Sequence, residues 1–229
     1  MRSMLHQLSE TKADEPLRRP APVHRLDCAT AGLVLVARTH PAARHLSESL
    51  REQKAQKRYR AVVLGAMENE SGKIDVPLSQ QVCSSEWRLV QRLKFRLPLG
   101  GADGSGEEVE EVSLSLVDLW PHTGRWHQLR RHMSGIGHCI IGDDRHGCER
   151  GLAVATHAGV GMQLAAVEIE IPHQTPHHSS TLDASANTAI PAEQRVELRR
   201  SECLGGKLHV EIGMPAEMQR LIISGSYES

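Results

Sequence analysis

A single carboxylate stands beside an arginine near the beginning of the sequence, in the segment His24-Arg25-Leu26-Asp27. The next residues, 28–32, are typical of a tight turn, and the apolar run 33–37 predicts a strand, over 32–38, with both faces covered. Such a turn exposes the carboxylate of Asp27 while the strand holds it rigidly, as a catalytic nucleophile or base requires. The alternative is that Asp27 only caps the turn through its side chain, as aspartate commonly does.

Basic residues are clustered, although the formal net charge of the 229-residue chain is −1. Residues 44–60 hold six basic and two acidic side chains, and residues 125–131 hold three arginines and no acid. A local basic patch on a nearly neutral protein is sufficient to hold phosphate groups. The alternative for each cluster is an ordinary solvated helix face.

The composition, with 39% apolar and 24% charged residues, predicts a globular protein. Its five cysteines are scattered without a CxxC spacing, which favours a reducing compartment over a disulfide framework or a zinc ribbon. No apolar run approaches the roughly 18 residues of a membrane helix, and the first 19 residues carry three acids and no secretory core. We therefore expect a cytoplasmic protein with no membrane partner, or an organellar one if the N-terminus is truncated.

Strands and helices alternate irregularly along the sequence, which favours an α+β fold with a mixed, largely antiparallel sheet flanked by helices. The patterns predict helices over 41–53 and 126–133, the second with Leu129 and Met133 facing inward. They predict further strands over 58–65, 72–78, 87–93, 112–120, 164–172 and 207–212. Residues 1–22 read as a flexible N-terminal segment, and 23–223 as one domain with a polar insertion at about 174–203.

A Gly-rich loop and a set of histidines could indicate a bound phosphate or metal, but neither has the spacing of a known binding motif. The Gly-rich loop 97–106 contains no GxGxxG and is followed at once by acids, so we expect no phosphate cradle there. His127 and His132 lie five residues apart, which fits one helical face poorly, and no HExxH occurs. We expect these histidines to be packed or solvated, and we expect neither a metal nor a cofactor.

Three motifs, in the right order and at compatible spacing, resemble the RluA-type pseudouridine synthases. The first is HRLDCATAG followed by the apolar run (24–37), the second is KRYRAVVLG (57–65), and the third is TGRWHQLRRHM with GHCIIGD (123–133 and 137–143). The doubled arginine and the following DRHG (144–147) resemble the tRNA-acting subgroup of tRNA pseudouridine synthase C. The resemblance covers about residues 23–173 and 204–223.

This resemblance implies an isomerase that breaks the N-glycosidic bond of a uridine and rejoins the base through carbon, a reaction without redox change, metal or cofactor. It implies that Asp27 is the essential nucleophile or base, that Arg130 is its guanidinium partner, and that Tyr59 stacks on the flipped uracil. It also implies an RNA partner, with tRNA favoured and rRNA open, and no obligate protein partner. The candidate RNA-binding residues are Arg25, Arg38, Lys57, Arg125 and Arg131, with Arg44 and Lys54 as further phosphate contacts.

The sequence departs from the family pattern at its beginning. The family has a strand and a Lys-Pro-Ser-Gly-like turn ahead of the first motif, whereas 22 mostly polar residues without that turn stand there in this sequence. We therefore expect the N-terminal strand to be missing, which would expose a sheet edge and weaken the site. The alternative function is a catalytically impaired RNA-binding protein that keeps the fold.

Overall fold

The computed structural model describes residues 17–98, 109–172, 198–204 and 207–225, which form ten strands and four helices. The strands are β1 (Ala21–Pro22), β2 (Ala31–Gly32), β3 (Val36–Ala37), β4 (Gln56–Leu64), β5 (Ser71–Ile74), β6 (Ser85–Pro98), β7 (Val109–Pro121), β8 (Leu164–Pro172), β9 (Leu198–Leu204) and β10 (Lys207–Ile212). The helices are α1 (His40–Arg51), α2 (Gln128–Gly135), α3 (Glu149–Ala158) and α4 (Ala216–Gly225).

One eight-stranded sheet organises the fold, with the order β5-β6-β7-β4-β8-β10-β9 and with β2 added beside β8. All pairings in it are antiparallel except the parallel contact of β2 with β8. The α+β class and the largely antiparallel sheet predicted from the sequence are therefore confirmed. Strand β4 lies inside the sheet, and its residues Ala61, Val62 and Val63 are fully buried, which makes it the rigid support for Tyr59.

The longest element is the hairpin of β6 and β7, which pair from Ser85↔Pro121 to Pro98↔Val109. Both strands extend beyond the predicted limits of 87–93 and 112–120. In β6 buried and exposed side chains alternate on both sides of an irregularity at 90–92, and the alternation continues through Phe95 and Leu97 to the end of the strand. The Gly-rich loop that joins the two strands lies largely at 99–108, outside the described residues.

The predicted continuous strand over 32–38 is wrong, because the chain leaves the sheet after Gly32. This glycine has φ +111°, and a Cβ built on it would lie 2.1 Å from the backbone oxygen of Ala166. After one more hydrogen bond, from the Leu33 N–H to that oxygen, the chain pairs with β1 instead. The side chain of Val36 is consequently exposed, so the apolar run is not covered on both faces.

The two predicted helices are confirmed as α1 and α2. At the start of α1 the hydroxyl of Thr39 accepts a hydrogen bond from the Ala42 N–H, and Pro41 stands in the first turn. In α2 the side chains of Leu129 and Met133 are buried, as the spacing predicts. Helices α3 and α4 were not predicted.

Several sequence predictions fall partly outside the described residues. These are the flexible segment 1–22, of which residues 17–22 are described, and the insertion at 174–203, of which 198–203 belong to β9. Strand β9 pairs with β10 in antiparallel orientation, and β10, which matches the predicted strand 207–212, pairs with β8, which matches 164–172. Within the described ranges no helix is long and apolar enough to cross a membrane.

Candidate active site

A cleft of about 850 Å³ opens where the turn before β2, the start of β4 and the segment between β7 and α2 meet. Three segments that are far apart in the sequence form most of its walls, and Asp144, Arg145 and Leu164 complete them. The three segments carry six of the eight predicted site residues, namely Arg25, Asp27, Lys57, Tyr59, Arg125 and Arg130.

The carboxylate of Asp27 faces this cleft. The turn that carries it is closed by the backbone, since the Thr30 N–H donates to the carbonyl oxygen of Asp27 at 2.9 Å. The side chain of Asp27 is 36% exposed, and its Oδ2 lies 3.9 Å from Nε2 of His127. The backbone thus closes this turn, and the partly exposed carboxylate of Asp27 lines the cleft, where it can act on a bound molecule.

His24, another residue of the first motif, stabilises the turn through a hydrogen bond. The Nε2 of His24 accepts a hydrogen bond from the Leu35 N–H at 2.9 Å, and the Val23 N–H donates to the Leu35 carbonyl at 3.0 Å. Burial and the charge of Lys57 lower the pKa of His24, which keeps the imidazole neutral and able to accept. His24 therefore positions the segment that presents Asp27.

Arg130 is held by a buried bidentate ion pair with Asp143. Its Nε and Nη2 donate to the two carboxylate oxygens at 2.7 and 2.5 Å, and Asp143 also accepts from the backbone N–H groups of Arg145 and His146. The hydrogen bond to Asp143 raises the pKa of Arg130, to which the nearby charge of Asp27 adds. Burial opposes the charge of Asp143, but its hydrogen bonds outweigh burial and hold its pKa below the ordinary value.

The direct pairing of Arg130 with Asp27 that the family resemblance implied is not what the structure shows. Within the described part of the chain, the ion pairs of Arg130 go to Asp143 and Asp144. The positive charge of Arg130 therefore acts on Asp27 through space, at the same end of the cleft. Sequence reasoning missed Asp143, whose only signal is its place at the end of the third motif.

His127 links Arg130 to the rest of the cleft wall. It begins α2 with left-handed backbone angles (φ 52°, ψ 33°), and its Nε2 lies 3.3 Å from Nη1 of Arg130. Because a guanidinium only donates, Nε2 accepts, and the proton sits on Nδ1, which donates to Nε2 of His146 at 2.8 Å. Burial and the charge of Arg130 lower the pKa of His127, so it is neutral near pH 7. Sequence reasoning had expected a packed or solvated side chain.

Tyr59 enters the cleft from β4, where it pairs with Leu119 of β7 and Ala166 of β8. Burial and the negative charge of Asp27 raise the pKa of Tyr59 to about 12. The phenol is therefore protonated throughout the neutral range. It can stack its ring on a planar ligand and donate a hydrogen bond near Asp27.

A buried hydrogen-bond network fixes the segment between β7 and α2. The side-chain oxygen of Gln128 accepts from the Thr123 hydroxyl at 2.7 Å and from the Arg125 N–H at 3.0 Å, and its amide donates to Ser85. Ser85 in turn lies 3.0 Å from Nδ1 of His132, whose Nε2 donates to a backbone carbonyl. The polar residues of the third motif thus hold the cleft wall in place, which sequence reasoning did not predict for Gln128 or His132.

The remaining predicted RNA-binding residues do not line the cleft. Arg38 is exposed on the short segment before α1, and Arg131 donates to the Ser79 hydroxyl at 3.4 Å on the outer side of α2. Arg44 is exposed on α1, and Lys54 pairs with Glu52 at 2.6 Å.

Two arginines of the basic cluster 44–60 are neutralised inside the sheet. Arg58 pairs with Asp118, Glu168 and Glu211, and Arg60 pairs with Asp118. The local basic patch predicted from 44–60 is consequently weaker than the sequence indicates.

An exposed indole stands at the rim of the cleft. Trp126 is 59% exposed, its ring stacks on that of His127 with centroids 4.0 Å apart, and the guanidinium of Arg145 lies 5.6 Å from its ring centroid. Aromatic and guanidinium planes of this kind are surfaces on which unpaired bases stack. Trp126 occupies a position inside the third motif that sequence reasoning left without a role.

Residues 6–135 of the sequence match the model of a family described as RNA pseudouridylate synthase. Two relatives are a dual-specificity RNA pseudouridine synthase RluA of Haemophilus influenzae (34% identity, covering 72% of this chain and 73% of that protein) and a tRNA pseudouridine synthase C of Yersinia pestis (33%, 71% and 67%). An uncharacterized RNA pseudouridine synthase of Aquifex aeolicus is 31% identical over 63% of this chain, which spans 45% of that protein. The solved structure of human RNA pseudouridylate synthase domain containing 1 has a TM-score of 0.55 and 25% identity, and covers 69% of this chain and 66% of its own.

Proposed function

The chain belongs to the RNA pseudouridylate synthase family, and on this premise we propose that it isomerises uridine to pseudouridine in tRNA with Asp27 as the essential carboxylate. The relatives are named as RNA pseudouridine synthases, which are isomerases, so the predicted family and enzyme class are confirmed at the level of the family. One observation carries the proposal for this chain: Asp27, Tyr59 and Arg130, which come from three distant segments, line the same cleft.

The geometry supports a role for each of the three side chains. The isomerisation needs a carboxylate close to the sugar, where it either attacks the anomeric carbon or removes a sugar proton. The charge of Arg130 stabilises the ionised form of that carboxylate when bound RNA excludes water. Tyr59 keeps its proton, so its ring can stack on the flipped uracil and its hydroxyl can donate to it.

The resemblance of Arg130-Arg131 and DRHG (144–147) to the tRNA-acting subgroup favours tRNA as the substrate, and one relative is named for tRNA. The basic residues Arg25, Lys57 and Arg125 can hold the phosphates on either side of a flipped nucleotide in RNA of either class. Ribosomal RNA is the competing substrate, since another relative is named a ribosomal large subunit pseudouridine synthase.

The test is to incubate the protein with unmodified tRNA transcripts and, in parallel, with an unmodified large-subunit rRNA transcript, and to map pseudouridine chemically. We expect product in tRNA that disappears with Asp27→Asn, while the melting temperature and RNA binding are retained. Glu111→Gln is the matched control. This exposed acid pairs with Lys94 near the loop end of the β6–β7 hairpin, and Pro121 lies at the other end of the hairpin. Product that survives Asp27→Asn contradicts the catalytic role. RNA binding by the wild-type protein without product supports the impaired binding protein instead.

A further inference from the structure

A second cleft, of about 800 Å³, adjoins the first and has no role in the function proposed above. The two clefts share Lys57 and Pro121, so a single wall separates them. The second cleft is formed by the end of β7, the beginnings of β5 and β6, and the chain between α1 and β4. An elongated ligand that lies across this wall would occupy both clefts.

A guanidinium and an indole are already stacked in the second cleft. The Cζ of Arg88 lies 5.3 Å from the ring centroid of Trp120, and the Arg88 side chain is 63% exposed, with its Nη2 3.8 Å from the buried carboxylate of Asp118. Trp120 is half-buried on β7, opposite Glu86 of β6, so the indole is fixed by the sheet. A rigid aromatic ring beside a movable guanidinium is the arrangement on which an unpaired base stacks, largely without regard to its identity.

The charges of the second cleft suit a polyanion. Its lining contains three cations, Lys57, Lys73 and Arg88, against the single acid Glu86. The Nζ of Lys73 lies 3.1 Å from Asp75, and both side chains are more than half exposed, so the lysine is available to a phosphate at little cost. Phosphate contacts from lysine and arginine provide most of the affinity that proteins have for nucleic acids.

We propose that the second cleft binds the stretch of substrate RNA that adjoins the target uridine, with one base on the Trp120–Arg88 pair and the neighbouring phosphates at Lys73 and Lys57. This inference rests on the proposed function, because it takes the nucleotide in the first cleft to be the target. It assigns to the protein a substrate footprint of more than one nucleotide. The shared wall formed by Lys57 and Pro121 sets the direction in which that footprint extends.

The first test compares two lysines with matched surroundings. Lys73 and Lys94 are both 55% exposed and each pairs with one acid, but only Lys73 lines the cleft. Binding of fluorescein-labelled, unmodified tRNA transcripts is measured with Lys73→Ala and Lys94→Ala, each in an Asp27→Asn background that prevents turnover. We expect a severalfold loss of affinity for Lys73→Ala, together with a plot of log K against log salt that is shallower by about 0.7, the slope lost with one single-strand phosphate contact. Lys94→Ala should leave both quantities unchanged.

The second test addresses the stacking platform. Trp120→Leu should weaken binding about tenfold, the size expected for one base stacked on an aromatic side chain. Its salt dependence should stay as in the wild type, since no phosphate contact is lost. If Trp120→Leu lowers the melting temperature, Arg88→Ala replaces it, because this side chain is mostly exposed and its ion pair with Asp118 is long, at 3.8 Å, while Asp118 keeps its closer partner Arg60 at 2.7 Å.

Shortening the RNA locates the contact. A stem-loop that contains the modified uridine is trimmed on its 5′ side or on its 3′ side, and one of the two truncations should abolish the difference between the wild type and Lys73→Ala. Equal affinities for Lys73→Ala and Lys94→Ala on the full RNA overturn the second-cleft proposal even when pseudouridine is formed. A Lys73 effect in a wild-type protein that forms no pseudouridine overturns the catalytic proposal and leaves the RNA-binding cleft in place.

Discussion

Two buried arginine clusters in this protein have similar composition and different consequences. In the sheet, Arg58 uses all three of its nitrogens on three carboxylates, those of Glu168, Asp118 and Glu211. At the cleft, Nε and Nη2 of Arg130 donate hydrogen bonds to Asp143, and its Nη1 lies 3.3 Å from the neutral His127.

The difference shows which property lets a buried arginine act on a substrate: part of its guanidinium must remain without a carboxylate partner. In the sheet cluster the guanidinium of Arg58 is satisfied by three carboxylates, so it stabilises strand positions and is not available to a ligand. The cleft cluster leaves one edge of the guanidinium toward neutral groups and toward the negative charge of Asp27. Its field therefore reaches the place where a substrate would react, and replacing residues of the two clusters should separate stability from activity.

The largest effect is expected from Asp143→Asn. The amide cannot form the bidentate pair, so Arg130 is left as a buried charge that moves from its position. Displacement of a positioned group by about 1 Å can cost roughly 100-fold in rate, and breaking a buried ion pair costs about 3–5 kcal/mol of stability. Pseudouridine formation under single-turnover conditions and thermal unfolding measure the two losses. An unchanged rate in a folded Asp143→Asn protein would show that Arg130 does not act on Asp27.

Asp118→Asn tests the other side of the comparison. This change removes the partner that Arg58 and Arg60 share within the sheet and that Arg88 approaches at 3.8 Å. We expect a loss of about 3 kcal/mol in the free energy of unfolding and an unaltered rate at temperatures where the protein stays folded. Glu111→Gln on the same strand is the control and should lie within about 0.5 kcal/mol of the wild type. A rate loss comparable with that of Asp143→Asn would remove the distinction between the clusters.

Local patterns explain which parts of this molecule could be predicted from the sequence. Helix α1 and strands β8 and β10 carry their periodicity within a dozen residues, so neighbouring side chains alone determine the element. The three segments of the cleft were found because their motifs resemble a family. The residues that were proposed for the site are therefore those whose signal is contained in a short stretch of chain.

The sequence predictions fail where a contact between residues far apart in the chain determines the local structure. The break after Gly32 depends on the backbone of Ala166, and the neutralisation of Arg58 depends on Glu168 and Glu211, which are 110 and 153 residues away in the sequence. Helix α3 contributes few large apolar side chains to the core, so its amphipathic signal is weak.

The stability of both clusters should depend on pH, because each cluster contains a carboxyl group whose pKa is lowered. Burial opposes the charge of Glu168, but hydrogen bonds from Arg58 and His209 outweigh it and lower its pKa, as Arg130 does for Asp143. A lowered carboxyl pKa gives stability that is complete above the unfolded pKa of about 4 and is lost as the pH falls through the folded value. Glu168→Gln should therefore lower the melting temperature at pH 7, and its difference from the wild type should shrink toward pH 3. Melting curves from pH 3 to 7 measure this, and a difference that stays constant with pH would contradict it.

The smallest effect is expected from His127→Asn, which tests whether the neutral neighbour of Arg130 matters. Loss of one hydrogen bond corresponds to a rate decrease of about two- to tenfold at pH 7. Because burial and Arg130 lower the pKa of His127 below its ordinary value, the imidazole is neutral near pH 7, and its protonation at acidic pH places a second cation beside Arg130. The wild-type rate should thus fall as the pH decreases from 7 into the acidic range, and this decrease should be weaker in His127→Asn but intact in the exposed control His40→Gln. A pH–rate profile that is identical in all three proteins would mean that Asp143 alone positions Arg130, and the cleft cluster would then differ from the sheet cluster only in where it lies.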